Sequence, residues 1–161
     1  MTKPNPDQAA ARLYDFIRLI RPAHRRLARS VSVHLDGTGL SLGGRAVLEL
    51  LAETGPLSVA AAARQLFLAR QQVQLVMDTL DQQEHVQKRP NPAHRRSPLF
   101  ALTDQGRAAY ASLHARELNR LGDIAAQLED ADLSAALRVM TALVDGFGAY
   151  EDDPDAPQPL A

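Results

Sequence analysis

Residues 58–102 contain two short amphipathic segments followed by a basic stretch that prolines interrupt, and this order constrains the fold more than any other part of the chain. The first segment, Ser58 to Leu66, opens with a residue that commonly caps helices and carries small apolar residues at helical spacing. The second segment, Arg70 to Gln83, has apolar residues at the same spacing. We therefore predict two helices joined by a tight turn, with a hairpin after them over residues 85–102.

Two helices followed by a cationic hairpin have the order of a winged helix-turn-helix, whose second helix enters the major groove of DNA while the hairpin, or wing, contacts the flanking backbone. The predicted wing holds four cations within nine residues, namely Lys88, Arg89, Arg95 and Arg96. Its prolines would stiffen the strands and oppose pairing with another chain. We expect these cations, with His94 among them, to lie near phosphate or in the narrow minor groove; a solvated run of charge is the alternative.

The second helix of this pair has a polar face that suits base recognition. If Val73, Val76, Met77 and Leu80 face the core, the opposite side carries Arg70, Gln71, Gln72, Gln74, Leu75 and Asp78. Glutamine can pair bidentately with adenine, while arginine favours guanine or phosphate. We predict that Arg70, Gln71, Gln72, Gln74 and Leu75 contact DNA; a merely solvated glutamine face is the alternative.

The rest of the sequence predicts four further helices, so the fold class is mainly α with a small β-hairpin wing. These helices begin at Asn5, Ser41, Thr103 and near Asp130 or Asp132. Gly55-Pro56 ends the helix that Ser41 begins. Pro22 lies inside the first helix and removes one backbone hydrogen bond, which predicts a kink or break near Arg21.

Apolar stripes on the first and last helices lie outside the compact centre of the predicted fold. Leu13, Ile17 and Ile20 mark the first stripe; Leu137, Met140 and Val144 mark the last. Such faces need a partner, and a homodimer is the simplest one. We expect a single domain over 1–161, with residues 5–35 and 103–150 as a helical dimerisation lobe and 41–102 as a winged-helix lobe.

Charge is distributed unevenly along this chain of 161 residues, although the formal net charge is only −1. Residues 55–110 carry 7 basic and 4 acidic groups, whereas residues 111–161 carry 3 and 10. The acidic, proline-containing end over 151–161 lacks the apolar residues needed for folding, and we expect it to be disordered. A polar, proline-containing start is not a signal peptide, and no stretch is long and apolar enough for a membrane span, so we expect a cytoplasmic protein that contacts no membrane.

Catalytic and metal sites are poorly supported by the sequence. There is no cysteine, which excludes disulfides and thiolate sites. The five histidines are scattered without the spacing of metal ligands, and none has a nucleophile beside it. We therefore predict neither an enzyme nor a cofactor. Two alternatives remain: a metal-sensing regulator using His114 with Glu117 or His34, and a winged helix that binds another protein.

Several segments resemble the MarR family of bacterial transcriptional regulators, in register from about residue 10 to residue 149. They are Ala60 to Leu66, Val73 to Leu80, the arginine-bearing Arg89 to Arg96, and Leu102-Thr103-Asp104-Gln105-Gly106-Arg107. The resemblance implies a winged-helix lobe joined to a dimerisation lobe built from the first and last helices. It also implies a repressor that releases DNA on binding a small, often aromatic anion. If the repressor is a symmetric homodimer, we expect its operator to be a pseudopalindrome.

Three residues depart from the family pattern. His94 stands where the wing tip usually has an aspartate, two residues before Arg96, so the usual ion pair is absent. Glu84 stands where a glycine normally ends the recognition helix, and a non-glycine residue adopts the left-handed conformation poorly. Ala69 replaces the usual serine or threonine cap. These departures bear on the conformation of the wing rather than on the fold.

Overall fold

The computed structural model describes residues 5–94 and 96–151, including every side chain among them except those of His34, Ala149, Tyr150 and Glu151. The elements are α1 (Pro6–Leu35), α2 (Leu42–Thr54), α3 (Val59–Leu66), α4 (Arg70–Gln82), β1 (Val86–Arg89), β2 (Leu99–Leu102), α5 (Asp104–Ala125) and α6 (Asp130–Glu151). The predicted fold class, mainly α with a β-hairpin wing, is confirmed. The chain divides into two compact units, with the boundary between Glu117 and Leu118 inside α5.

The core of the first unit lies where α2, α3, α4 and the hairpin meet. The most deeply buried large side chains are Phe100, Leu48, Met77, Leu80, Val47, Val73 and Val86. Val73, Met77 and Leu80 of α4 face inward as predicted, and Val76 packs against their edge. Ala62 and Ala63 are also buried, and their small size lets α3 approach α4 closely. One face of α4 is therefore fixed in the core and the other remains exposed.

Serine side chains begin two of the helices, as predicted. Ser41 accepts a hydrogen bond from Gly44 N–H at 3.0 Å, and Ser58 accepts one from Ala61 N–H at 3.3 Å. Ala69 begins α4 without a side-chain hydrogen bond, because a methyl group has no acceptor. The first N–H groups of α4 are thus left for water or another ligand.

The wing is an antiparallel hairpin in which β1 pairs with β2 from Val86↔Leu102 to Arg89↔Leu99. Its second strand also pairs with Leu57, in the loop before α3: the two backbone hydrogen bonds that Leu57 and Phe100 exchange measure 3.1 and 2.8 Å. Sequence patterns did not predict this third segment. It fastens the base of the wing to the beginning of the helix-turn-helix.

Of the kink or break expected near Arg21, the break is wrong, because α1 continues as one helix through Pro22. Proline at this position removes the hydrogen bond to the carbonyl of Arg18. Both residues are exposed, so water can solvate that carbonyl and the helix need not end.

The chain passes from α4 into the wing through Glu84, which adopts the left-handed conformation at φ 59° despite its side chain. Two hydrogen bonds hold it there: Glu84 N–H donates to Asp81 O at 3.0 Å, and His85 N–H donates to Leu80 O at 2.9 Å. This is the Schellman pattern that normally accompanies glycine. The backbone geometry therefore survives the replacement, at some conformational cost.

The start of α5 packs directly on this junction. Thr103 Oγ1 donates to Glu84 O at 2.6 Å and accepts a hydrogen bond from Gly106 N–H at 3.0 Å. A Cβ atom at Gly106 would lie 1.9 Å from His85 O. The Leu-Thr-x-x-Gly pattern thus has a structural explanation. The threonine hydrogen-bonds the junction to α5, and the glycine leaves space for the backbone of His85.

The second unit holds the end of α5 and all of α6. Many of its large apolar side chains are exposed, and the least covered is Leu137 at 69%. Among the described residues, no helix has the length and apolarity that crossing a membrane requires. Apart from Glu151, which ends α6, the predicted acidic tail over 151–161 lies outside the described residues.

Candidate nucleic-acid interface

An open cleft of about 490 Å³ lies along the exposed face of α4. Its lining residues come from the beginning of α3, from α4 and from the wing: Val59, Ala60, Arg70, Gln71, Gln74, Leu75, Asp78 and Ser97. Four of the five α4 residues predicted to contact DNA are therefore brought together. The fifth, Gln72, is exposed but does not line the cleft.

The side chains near the start of α4 are available for contacts. The side chains of Arg70 and Gln71 are exposed, and neither side chain forms a hydrogen bond or ion pair with another described residue. Leu75, one turn further along, is 69% exposed in the same cleft. An arginine, a glutamine and an apolar side chain side by side match the guanine, adenine and thymine-methyl contacts of major-groove recognition.

Gln74 and Lys88 belong to one polar network that Asp78 joins. Gln74 Nε2 donates to Asp78 Oδ2 at 2.9 Å. Lys88 Nζ lies 3.6 Å from Asp78 Oδ1 and 3.0 Å from Asp81 Oδ2. The hydrogen bond to Asp81 raises the pKa of Lys88, which keeps its ammonium charged. Lys88 was predicted as a phosphate contact, but its charge is directed towards two carboxylates of α4.

The remaining predicted wing residues occupy different places. Arg96 and His94 are exposed in the loop, and Arg95 lies outside the described residues. Arg89 lines a second cleft, of about 320 Å³, together with Arg107 and the end of α2. Arg89 is therefore exposed on the wing without joining the cleft along α4.

Asn91 organises the wing loop, and sequence reasoning did not single it out. Its Oδ1 accepts a hydrogen bond from Ala93 N–H at 3.1 Å, and its Nδ2 donates to Ser97 O at 2.8 Å. His94 takes part only through its backbone: its N–H donates to Asn91 O at 3.2 Å, and its O accepts from Ser97 N–H at 2.9 Å. The loop is closed by an asparagine rather than by an aspartate–arginine pair. An asparagine between two prolines was the available signal, since its side chain commonly bonds to nearby backbone in turns.

Two of the side chains considered as metal ligands, those of Glu117 and His114, have other contacts, and the side chain of His34 lies outside the described ones. Arg45 on α2 makes a two-pronged hydrogen bond to Glu117 on α5 and also pairs with Glu49 at 2.8 Å. These carboxylates, Glu117 first, raise the pKa of Arg45. His114 stacks on Tyr110, with 5.4 Å between ring centroids. Because Glu117 is committed to Arg45, this cluster serves to hold α5 against α2.

Comparison with known proteins locates this architecture among bacterial regulators. No family model and no curated protein sequence matches the chain. Among solved structures, a MarR family transcription regulator has 24% sequence identity and a TM-score of 0.77, and the match covers 91% of this chain and 97% of that one.

Two further structures carry ligands. FabT from Streptococcus pneumoniae, solved in complex with DNA, has 13% identity and a TM-score of 0.70, over 84% of this chain and 98% of that one. CouR from Rhodococcus jostii, solved with p-coumaroyl-CoA, has 23% identity and a TM-score of 0.71, over 81% and 93%. The resemblance noted in the sequence is confirmed at the level of structure: the chain has the winged-helix fold of the MarR family of transcriptional regulators.

Proposed function

We propose that this protein is a transcriptional regulator that binds double-stranded DNA at specific sequences, and not an enzyme. The observation that carries the proposal is the cleft along α4, where Arg70, Gln71, Gln74 and Leu75 are gathered beside a cationic wing. This combination offers base-specific contacts on one element and phosphate contacts on the next. The DNA complex of FabT, a protein of the same fold, supports it.

The regulator is a homodimer in this proposal. Large apolar side chains are exposed on α1, such as Leu19 at 65%, and on α6, such as Leu137 at 69%. Burying them between two copies would stabilise the assembly and give it twofold symmetry. Residues 41–102 would form the DNA-binding lobe, and residues 5–35 with 103–150 the dimerisation lobe. The operator would then be a pseudopalindrome of roughly 16–20 base pairs, with half-sites about one helical turn apart.

Repression relieved by a small molecule is the form of regulation that we infer. CouR, which shares the fold, was solved with p-coumaroyl-CoA, an aromatic ester with an anionic carrier. A small aromatic or anionic effector is thus the class to test, and the cytoplasm is the compartment in which such a regulator would act.

The test is footprinting of the purified protein on genomic DNA, followed by binding to the recovered site at several salt concentrations. If each subunit of a dimer sets three to five cations on phosphates, log K against log[salt] should fall with a slope on the order of −5 to −9. Arg96→Ala should make the slope shallower and weaken all sequences alike, whereas Arg138→Ala on α6 is a matched control that should change neither.

A slope near zero for the best duplex would contradict DNA binding. It would instead favour the alternative of a winged helix that binds another protein, because Leu75 and the neighbouring cleft would then be a protein-docking surface.

A further inference from the structure

We propose that Asp78 is a specificity-determining residue of the α4 cleft: it fixes the orientation of the Gln74 side-chain amide and lowers the attraction of the cleft for phosphate. This inference rests on the proposed DNA-binding function. It assigns a role to an acidic side chain on a surface whose other predicted contacts are cationic, amide or apolar.

Asp78 determines which end of the Gln74 side-chain amide faces it. An ionised carboxylate can only accept hydrogen bonds, so only the NH₂ end of Gln74 can face Asp78. The observed contact, 2.9 Å from Gln74 Nε2 to Asp78 Oδ2, is of this kind. It leaves the amide oxygen and one N–H free, in a fixed order along the groove. A glutamine free to rotate would present the donor and the acceptor in either order and would distinguish base pairs less well.

Asp78 also contributes negative charge to the cleft. Asp78 and Asp81 both lie near Lys88 Nζ, at 3.6 and 3.0 Å, so this group of three side chains carries a net negative charge. Asp78 also lines the cleft itself. A negative group there repels phosphate on every sequence, which weakens non-specific binding and leaves affinity more dependent on base contacts.

The experiment measures binding of the full-length protein to its best site, to single-base-pair variants of that site and to random duplex. Gln74→Ala first identifies the base pair that Gln74 recognises. Asp78→Asn keeps the size of the side chain and its ability to hydrogen-bond, but an amide can donate or accept and no longer fixes the partner. We expect Asp78→Asn to reduce discrimination at that same base pair by on the order of tenfold. It should also tighten random-duplex binding about 2-fold per subunit, as expected for one charge across roughly 8 Å of water.

Asp81→Asn is the matched control, since Asp81 contacts Lys88 but has no hydrogen bond to Gln74 among the described residues. It should tighten random-duplex binding to a similar degree and leave the preference at the Gln74 base pair intact. The double variant Gln74→Ala/Asp78→Asn should discriminate no worse than Gln74→Ala alone, because the two residues act through one contact.

Three results would overturn the proposal: an unchanged preference in Asp78→Asn, a change at a different base pair, or no base-pair effect of Gln74→Ala. All three can occur in a protein that still binds its operator, so they leave the proposed function standing. A wild-type protein without any sequence preference would overturn both.

Discussion

Gly106 is a residue at which α5 lies close against the backbone of the wing junction. The carbonyl of His85 occupies the space that a Cβ atom would need. Neighbouring hydrogen bonds from Thr103 fix the same junction, so the two backbone segments cannot easily separate. A methyl group at Gly106 would therefore displace the wing junction, α5 or both.

Gly106→Ala should therefore destabilise the protein by about 3 kcal/mol, at the upper end of overpacking effects, because the new Cβ would meet a backbone carbonyl and not a flexible side chain. Gly122→Ala is the control: it is also helical, but a Cβ there meets no atom within 4 Å. That change should stabilise the protein by roughly 0.5–1 kcal/mol. Urea unfolding of both variants decides the matter, and equal midpoints would show that the close approach has no energetic consequence.

Asn91 holds the wing loop through two hydrogen bonds, each worth about 0.5–1.5 kcal/mol. Asn91→Ala should loosen residues 90–98, with faster amide exchange there, and should weaken DNA binding several-fold while the global midpoint of unfolding changes little. Asn91→Asp keeps the acceptor for Ala93 N–H but loses the donor to Ser97 O, so its effect on amide exchange should be intermediate. Unchanged exchange in Asn91→Ala would show that the loop is closed by its prolines instead.

At the scale of elements, Arg45 ties α2 to α5 through Glu117. Their side chains are only 16% and 18% exposed, so removing one partner leaves the other charge poorly solvated. We expect Arg45→Met or Glu117→Leu alone to cost about 2 kcal/mol, less than for a fully buried pair. The double variant should cost less than the sum of the two, because it leaves neither charge behind. If denaturant unfolding shows that the stability losses of the two single variants add up to that of the double variant, the two residues are not coupled.

Tyr110, on the same face of α5, makes the stability of the folded protein depend on pH. Burial, followed by the nearby carboxylates Glu49 and Glu53, raises the pKa of Tyr110. The folded state therefore binds the phenolic proton more tightly than the unfolded chain does. This contribution to stability is complete below the unfolded pKa of about 10 and is lost as pH rises through the folded pKa. Tyr110→Phe should make the fall in stability above about pH 10 shallower; parallel unfolding curves against pH would contradict this.

The helices were largely predictable because their start signals are local. Ser41 and Ser58 cap the residues that follow them, and the apolar spacing of α4 indicates its buried face from a few turns alone. Contacts between distant segments were not predictable in this way. Nothing near Leu57 indicates that it pairs with Phe100, and the spacing of Lys88 does not indicate that Asp78 and Asp81 lie beside it. The break expected at Pro22 failed for a related reason: whether a helix survives a proline depends on solvation of the carbonyl left without a donor.

At the scale of the whole molecule, the exposed apolar faces of α1 and α6 lead to a prediction about assembly. Ile17→Glu and Leu137→Glu should each shift the protein from dimer to monomer. Operator affinity should then fall by tenfold or more, because a monomer can contact only one half-site of the operator. Leu75→Ser is the control, since it removes an exposed leucine from the α4 cleft and should leave the dimer intact. Sedimentation at micromolar concentration provides the measurement, and a monomeric wild-type protein would refute the dimer.

The pairing of Leu57 with Phe100 has a consequence for how the chain folds as it is made. The two residues are 43 positions apart, and their backbone bonds close the base of the helix-turn-helix. Synthesis proceeds from the N-terminus, so α3 and α4 leave the ribosome well before the strand that secures them. Until residue 102 has emerged, the core that Val73, Met77 and Leu80 share with Phe100 and Leu102 is incomplete. The nascent protein therefore completes the support of its α4 cleft only after the second strand of the wing has left the ribosome.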